Sequence, residues 1–142
     1  MRISAKTEYA AIAMLELALC YGSGEPVRIR QIAESHGVPS RFLVQILLQL
    51  KGAGLVASTR GASGGYQLIT SPEKITLRQI MAIVEGPRET ISSNAELETA
   101  VSTVLLDAWQ EVADLEREML DKVTLADLVE QVRGRTEAMY YI

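Results

Sequence analysis

A chain of 142 residues that is 48% hydrophobic can bury one compact core or two small interdependent ones, and is too apolar to remain disordered. The apolar stretch from Ala10 to Cys20 is too short to span a bilayer and is interrupted by Glu16, while Met1 to Tyr9 is polar and unlike a secretory leader, so a cytoplasmic protein with no membrane partner is expected. The net charge of −4 disfavours a polyanionic partner only until its distribution is read: residues 1–86 carry +3 and residues 87–142 carry −7, so an acidic half can be held away from phosphates that a basic half approaches.

In chain order, Ala10 to Cys20 predicts a helix that is apolar nearly all round and therefore buried. Cys20, the single cysteine, has no intramolecular disulfide partner and reads as a small core residue. Ile29 to His36 carries apolar residues at helical spacing and stops at Gly37, which can adopt a left-handed cap. His36, the only histidine, sits where partial positive charge is welcome at a helix end, which favours a capping role over a ligand. Pro39-Ser40 restarts a helix that runs through Arg41 to about Lys51. Two short helices across such a turn can hold the second at an angle suited to a DNA major groove.

At about 100° per residue, Phe42, Leu43, Ile46, Leu47 and Leu50 fall on one side of the second helix and are expected to be buried. Arg41, Val44, Gln45, Leu48 and Gln49 fall on the other. Arg and Gln carry the donors and acceptors that match guanine and adenine edges, and Val44 or Leu48 can meet a thymine methyl. An ordinary solvated helix face fits the same pattern, so the segment that follows decides. Leu55 to Thr59 and Tyr66 to Ile69 read as paired strands around Arg60-Gly61-Ala62-Ser63-Gly64-Gly65. Glycines there free the backbone to approach a phosphate while Arg60 supplies charge, as a DNA-contacting wing requires; a plain hairpin closure leaves the arginine unexplained. Arg2, Lys6, Arg28, Ser40, Arg41, Val44, Gln45, Arg60, Gly61, Gly64 and Gly65 are the candidate DNA-binding residues.

Thr76-Leu77-Arg78-Gln79 has capping-box spacing, and Gly86-Pro87 cannot comfortably continue the helix it opens. A boundary is placed there, giving a mainly α fold with a β-hairpin wing: residues 1–86 form a winged helix-turn-helix module and residues 87–142 a loop, a long helix and a tail. Leu97, Val101, Val104, Leu105, Ala108, Val112, Leu115 and Met119 recur every three or four residues among acidic ones, an amphipathic stripe that needs a partner, either the first helix or a second copy. Thr124-Leu125-Ala126-Asp127 opens a last short helix expected to end near Gly134.

These segments resemble the bacterial winged-helix regulators that include IscR, NsrR and CymR. The resemblance rests on Met1-Arg2-Ile3-Ser4-Ala5-Lys6-Thr7-Glu8-Tyr9-Ala10, on Ile32-Ala33, Phe42-Leu43 and Gln45, and on Ala53-Gly54-Leu55-Val56. Its most specific stretch is Arg60-Gly61-Ala62-Ser63-Gly64-Gly65-Tyr66-Gln67-Leu68, followed by Ile75-Thr76-Leu77 and Glu85-Gly86-Pro87. It implies a homodimeric transcription factor on double-stranded DNA rather than an enzyme, with the amphipathic stripe as the dimer seam. The chain accordingly lacks a nucleophile–histidine pairing and a phosphate loop. Iron–sulfur members of the family carry three cysteines between the wing module and the dimerisation helix; Pro87 to Asp107 holds none, so no cofactor is expected. Val44 stands where a glutamate is usual, so DNA sequence preference does not transfer.

The end of the chain is similar to the family's cysteine-metabolism repressors, through Val123-Thr124-Leu125-Ala126-Asp127-Leu128 and Thr136-Glu137-Ala138-Met139-Tyr140-Tyr141-Ile142. That similarity implies repression of cysteine and sulfur genes, controlled by a complex with cysteine synthase, the enzyme whose active site accepts a terminal isoleucine from serine acetyltransferases. Met139, Tyr140, Tyr141 and Ile142 form the candidate partner-binding tail, although packing onto the protein's own dimer helices is an equal alternative. Two further readings remain beside this one: a winged-helix interaction protein that no longer binds DNA, and a cluster-free regulator of another regulon.

Overall fold

The computed structural model describes residues 1–87 and 90–140. Helix α1, Ala5–Leu19, starts where the Ser4 hydroxyl accepts the Thr7 amide at 3.1 Å, and its inward face carries Ala10, Ala13, Met14 and Leu17. Two alanines on that face let other helices approach its backbone closely. Cys20 lies one residue past the helix, at its C-cap and half-buried, rather than within it. Helix α2, Ile29–His36, ends at Gly37 in the left-handed conformation (φ 65°), as the sequence predicts. The His36 ring is turned to another helix: its Nε2 pairs with Glu16 Oε1 at 2.7 Å and ties the end of α2 to α1, while Gly37 caps.

Helix α3, Ser40–Gly52, is entered through Pro39, so Ser40 is the first helical residue and makes no side-chain cap. Its Leu43, Ile46, Leu47 and Leu50 are wholly buried against α1 and α4 (Leu77–Glu85). Phe42 departs from expectation and is 42% exposed. On the helical wheel it sits about 90° from the mean direction of the four leucine and isoleucine side chains, at the edge of the buried stripe. Strands β1, Val56–Thr59, and β2, Gly65–Leu68, pair antiparallel from Val56↔Leu68 to Thr59↔Gly65. A 3-10 turn at Pro72–Lys74 leads to α4, whose N-terminus has the predicted box: the Thr76 amide donates to Gln79 Oε1 at 2.9 Å and the Gln79 amide to Thr76 Oγ1 at 3.2 Å.

Helix α5, Ala100–Lys122, opens on a Thr99–Ser102 box, with the Ser102 amide on Thr99 Oγ1 at 3.1 Å. Leu97 therefore lies ahead of the helix, in a bend, and not on its stripe. Thr124 and Asp127 open α6, Leu125–Tyr140, again reciprocally at 3.0 and 3.1 Å. The helix continues through Gly134 to Tyr140 instead of ending there. One glycine costs a helix only about 1 kcal/mol, and no proline or further glycine follows in the sequence to stop it. Leu125 and Val129 enter the same core as α1, α3 and α4, and Leu77 and Leu125 amides bond to the Val123 and Ile75 carbonyls at 3.0 and 2.9 Å. The last helix is thus stitched to the wing module.

Leu47 is fully buried at the centre of this core. Leu47→Ala is expected to cost about 2–5 kcal/mol, read as a lowered denaturant midpoint at unchanged slope.

Candidate nucleic-acid interface

The buried stripe of α3 dictates what its other side presents. With Leu43, Ile46, Leu47 and Leu50 fixed inward, Arg41, Val44, Gln45, Leu48 and Gln49 face solvent, as predicted. Val44 is 43% and Leu48 55% exposed, an apolar pair flanked by amide and guanidinium groups. Phe42 contributes where burial had been expected: its ring lies 5.9 Å from the Tyr9 ring of α1, and the Arg41 guanidinium lies 5.3 Å from its centroid. The stack limits the directions open to Arg41. Lys6, half-buried one helical turn before Tyr9, is brought to the same corner.

The hairpin departs from α3 through Gly52 to Gly54, and Lys51 Nζ donates to Ser58 Oγ at 2.8 Å, bracing the helix end against β1. Arg60 and Gly61 are exposed at the tip, with Gly61 at φ 107°. The other two glycines face inward. A Cβ on Gly64 would overlap the Thr59 carbonyl, and one on Gly65 (φ 150°) would come within 2.5 Å of the Val27 carbonyl oxygen. Their missing side chains close the hairpin, while Gly61 alone leaves the outer backbone open. Val27 extends the hairpin by exchanging bonds with Tyr66 at 2.9 and 2.8 Å, which sets exposed Arg28 beside the base of the wing. Arg28 also holds the start of α2, its amide donating to Gln31 Oε1 at 3.1 Å.

Arg41, Val44, Gln45, Lys6, Arg28 and Arg60 therefore decorate contiguous elements. Ser40 is exposed at the first turn of α3 beside them. Arg2 is placed differently: it lines a cleft of about 550 Å³ with Thr90, Ile91 and the α5 residues Gln110, Glu116 and Arg117. Sequence reasoning missed the Tyr9–Phe42 stack, the Lys51–Ser58 brace and Trp109, which is 58% exposed on the shoulder of the α5 stripe. Phe42's wheel position at the stripe edge is the signal that could have found the first.

A recognition-type helix held on a three-helix core, followed by a glycine-closed hairpin with a cationic tip, defines a winged-helix DNA-binding regulator. A family model described as Rrf2, iron-dependent transcriptional regulator, matches residues 3–131, and the chain belongs to that family. It is 37% identical over 143 aligned positions to the HTH-type transcriptional regulator CymR of Bacillus subtilis, covering 100% of both chains. It is 31% identical to the regulator IscR of Vibrio cholerae, covering 91% of this chain and 75% of the relative. The solved structure of CymR, described as the global cysteine regulator of B. subtilis, superposes with a TM-score of 0.79 at 35% identity over 92% of this chain and 98% of that one. IscR of T. potens gives 0.75 at 32% identity, over 93% and 88%. The chain is a DNA-binding transcriptional regulator, not an enzyme.

The family description names iron, but the donors present do not fit a thiolate-held cluster. The sequence has one cysteine, Cys20, half-buried at the end of α1, and its one histidine is engaged by Glu16. Among the described residues no group of His, Cys, Asp and Glu converges on a metal-sized site. Burial pushes the Cys20 thiol above its ordinary value, with Glu16 and Glu25 adding to the effect. A raised thiol is mostly protonated at neutral pH and hence a poor nucleophile. Alkylation of native protein by iodoacetamide at pH 7.5 should be several-fold slower than in the denatured chain, with the half-maximal rate displaced to higher pH; equal rates in both states would contradict this environment.

Proposed function

We propose that the chain is a homodimeric repressor of cysteine and sulfur-metabolism genes that works without an iron–sulfur cluster. Residues 1–86 would read DNA and residues 87–142 would join the two copies. The observation that carries the reading is the exposed row on α3, Arg41, Val44, Gln45 and Leu48, followed by a wing with Arg60 at its tip. The assignment of regulon is supported by full-length similarity to a regulator described as the global cysteine regulator of its organism. In this reading α3 enters the major groove and the wing lies along the backbone, with Arg60 on phosphate or the minor-groove wall and Arg41 on a base edge or phosphate.

Arg60→Ala should weaken binding to the chain's own upstream DNA and flatten the slope of log affinity against log salt by about one unit, because one fewer set of counterions is released. Arg41→Ala should cost roughly 1–3 kcal/mol if its guanidinium reads a base, and should relax sequence preference at one position. Unchanged affinity and salt slope in both variants, measured by gel shift across a salt series, would remove the proposed contacts.

Control by cysteine synthase is the second part of the proposal. Helix α6 carries Met139, 76% exposed, and among the described residues none from position 130 to 139 is buried. Tyr141 and Ile142, the tail residues that would enter the enzyme, lie outside the described residues. An Ile carboxylate captured by backbone amides, with an aromatic neighbour in an apolar pocket, is the recognition this tail offers. The enzyme must bind one DNA state of the regulator more tightly than the other, since equal affinities shift no equilibrium. Calorimetry of intact chain against its own organism's cysteine synthase should show a complex that O-acetylserine weakens and deletion of Ile142 abolishes. Absence of a complex, or an undiminished one after deletion, would assign the tail a purely structural role.

A further inference from the structure

The stability of α3 gives no reason for an arginine at position 41. Arg41 is the second residue of the helix, where the partial positive charge of the helix end disfavours a cation, and the first turn holds no acidic residue to offset it. Lys6 brings a second cation to the same corner. Among the described residues no carboxylate pairs with the Arg41 guanidinium. What holds it is an aromatic face: its Cζ stands over the Phe42 ring, 5.3 Å from the centroid, within reach of a cation–π attraction.

The ring beneath it is fixed from behind. The Tyr9 ring lies 5.9 Å from that of Phe42 at an interplanar angle of 56°, a tilted geometry that aromatic pairs favour, and Tyr9 packs against the core from α1. Core, Tyr9, Phe42 and Arg41 therefore form a stack in which each member limits the motion of the next. The kind of contact matters as much as its strength. A carboxylate would hold the guanidinium by its N–H edge and occupy donors that a nucleic acid could use. A ring attracts the charge through its π-face and offers no oxygen acceptor, so the planar fork of five N–H groups stays available.

Resting on the DNA reading proposed above, we infer that Phe42, backed by Tyr9, is the positioning residue that aims Arg41 at the edge of a guanine, so that Arg41 sets sequence preference at one base pair. The N-terminal part of a reading helix is where side chains reach base edges. The match of an arginine to guanine O6 and N7 requires the fork to arrive in one plane and from one direction, whereas phosphate contacts carry no such sequence information. Phe42 acts through Arg41 and needs no contact of its own with DNA. The side-chain freedom that Arg41 would give up on binding is already restricted in the free protein, which raises affinity and selectivity together.

The test uses the full chain, a duplex of its own upstream DNA, and a set of duplexes in which each base pair the protein protects is changed in turn. Phe42→Leu keeps an apolar side chain and removes the ring. It should weaken binding about three- to ten-fold, the range for leaving one long side chain to be immobilised on binding, and should flatten preference at the same base pair as Arg41→Ala. In an Arg41→Ala background, Phe42→Leu should add less than about two-fold. Phe42→Tyr, which restores the π-face, should recover most of what Phe42→Leu loses. Additive losses would make Phe42 a DNA contact in its own right. Unaltered preference in Phe42→Leu or Arg41→Ala, or a Phe42→Tyr variant as weak as Phe42→Leu, would remove the positioning role; each of these overturns the inference and leaves DNA binding standing. A wild type with no preference among the duplexes would instead overturn the DNA reading itself. A second measurement needs no DNA: nitrogen relaxation of the arginine Nε–H groups in the free protein should show Arg41 more ordered than exposed Arg60, and that order should be lost in Phe42→Leu. Equal mobility of the two side chains in the wild type also overturns the inference.

Discussion

Burial of one face of α3 is the constraint on which the rest depends. Leu43, Ile46, Leu47 and Leu50 are all fully buried, and they lock the rotation of a 13-residue helix about its own axis. Rotating it by a single residue, about 100°, would take at least two of these side chains into water, at roughly 1.5–3 kcal/mol each. The same lock fixes which residues look outward. Arg41, Val44, Gln45 and Leu48 are presented because their neighbours cannot be, so the chemistry of the outer row and the stability of the core are two consequences of one alternation. The hairpin inherits its position from this helix through Gly54 and the Lys51–Ser58 bond.

Much of this was legible in the sequence because it follows from local rules. Gly37, the Thr76 box and the Thr124 box mark helix ends by hydrogen bonds reaching only three to five residues, and each appears where its spacing predicts. Leu97 was misplaced for a complementary reason: its apolar side chain suits the stripe, but the Thr99–Ser102 box satisfies the first amides of α5 and starts the helix after it. Phe42 and Gly134 show where periodicity stops short. A residue at the margin of an apolar stripe is assigned by what packs beside it, here Tyr9 from 33 positions away in the chain, which no local pattern contains. Gly134 lacks a following stop signal, and a helix already anchored at Leu125 and Val129 runs on through it.

The candidate interface divides the same way. Arg41, Val44 and Gln45 could be placed from the wheel alone. The glycines of the wing could be counted but not apportioned, because whether a missing Cβ serves an open backbone or a close internal approach depends on Thr59 and Val27, one across the hairpin and one from before α2. Arg2 is grouped with the reading helix by the sign of its charge, and in the structure it is exposed and also lines a cleft against α5. Charge locates a surface only after packing has decided which surface the residue reaches.

That placement bears on how the two halves of the chain communicate. Glu85, the last residue of α4, accepts from the Ser4 and Thr7 hydroxyls at 2.7 and 2.5 Å, so the point where the chain leaves the wing module is clasped to the first turn of α1. Helix α1 in turn meets α3 through Tyr9 and Phe42, and Phe42 carries Arg41. On the other side, α4 packs against α5, and Arg78 faces Asp121 at 3.7 Å. A rigid run of contacts thus leads from the α5 stripe to the outer row of α3. Rigidity transmits a signal only where some element has two arrangements with different affinities for the effector. Within this run the exposed ion pair at Arg78 is worth at most about 1 kcal/mol, whereas the clasp at Glu85 combines a buried threonine with a carboxylate and is the costlier to open. A change in the relative position of α5 and α4 would therefore break Arg78–Asp121 before it loosened Glu85, moving the reading helix relative to α5 as part of a whole module that kept its internal shape.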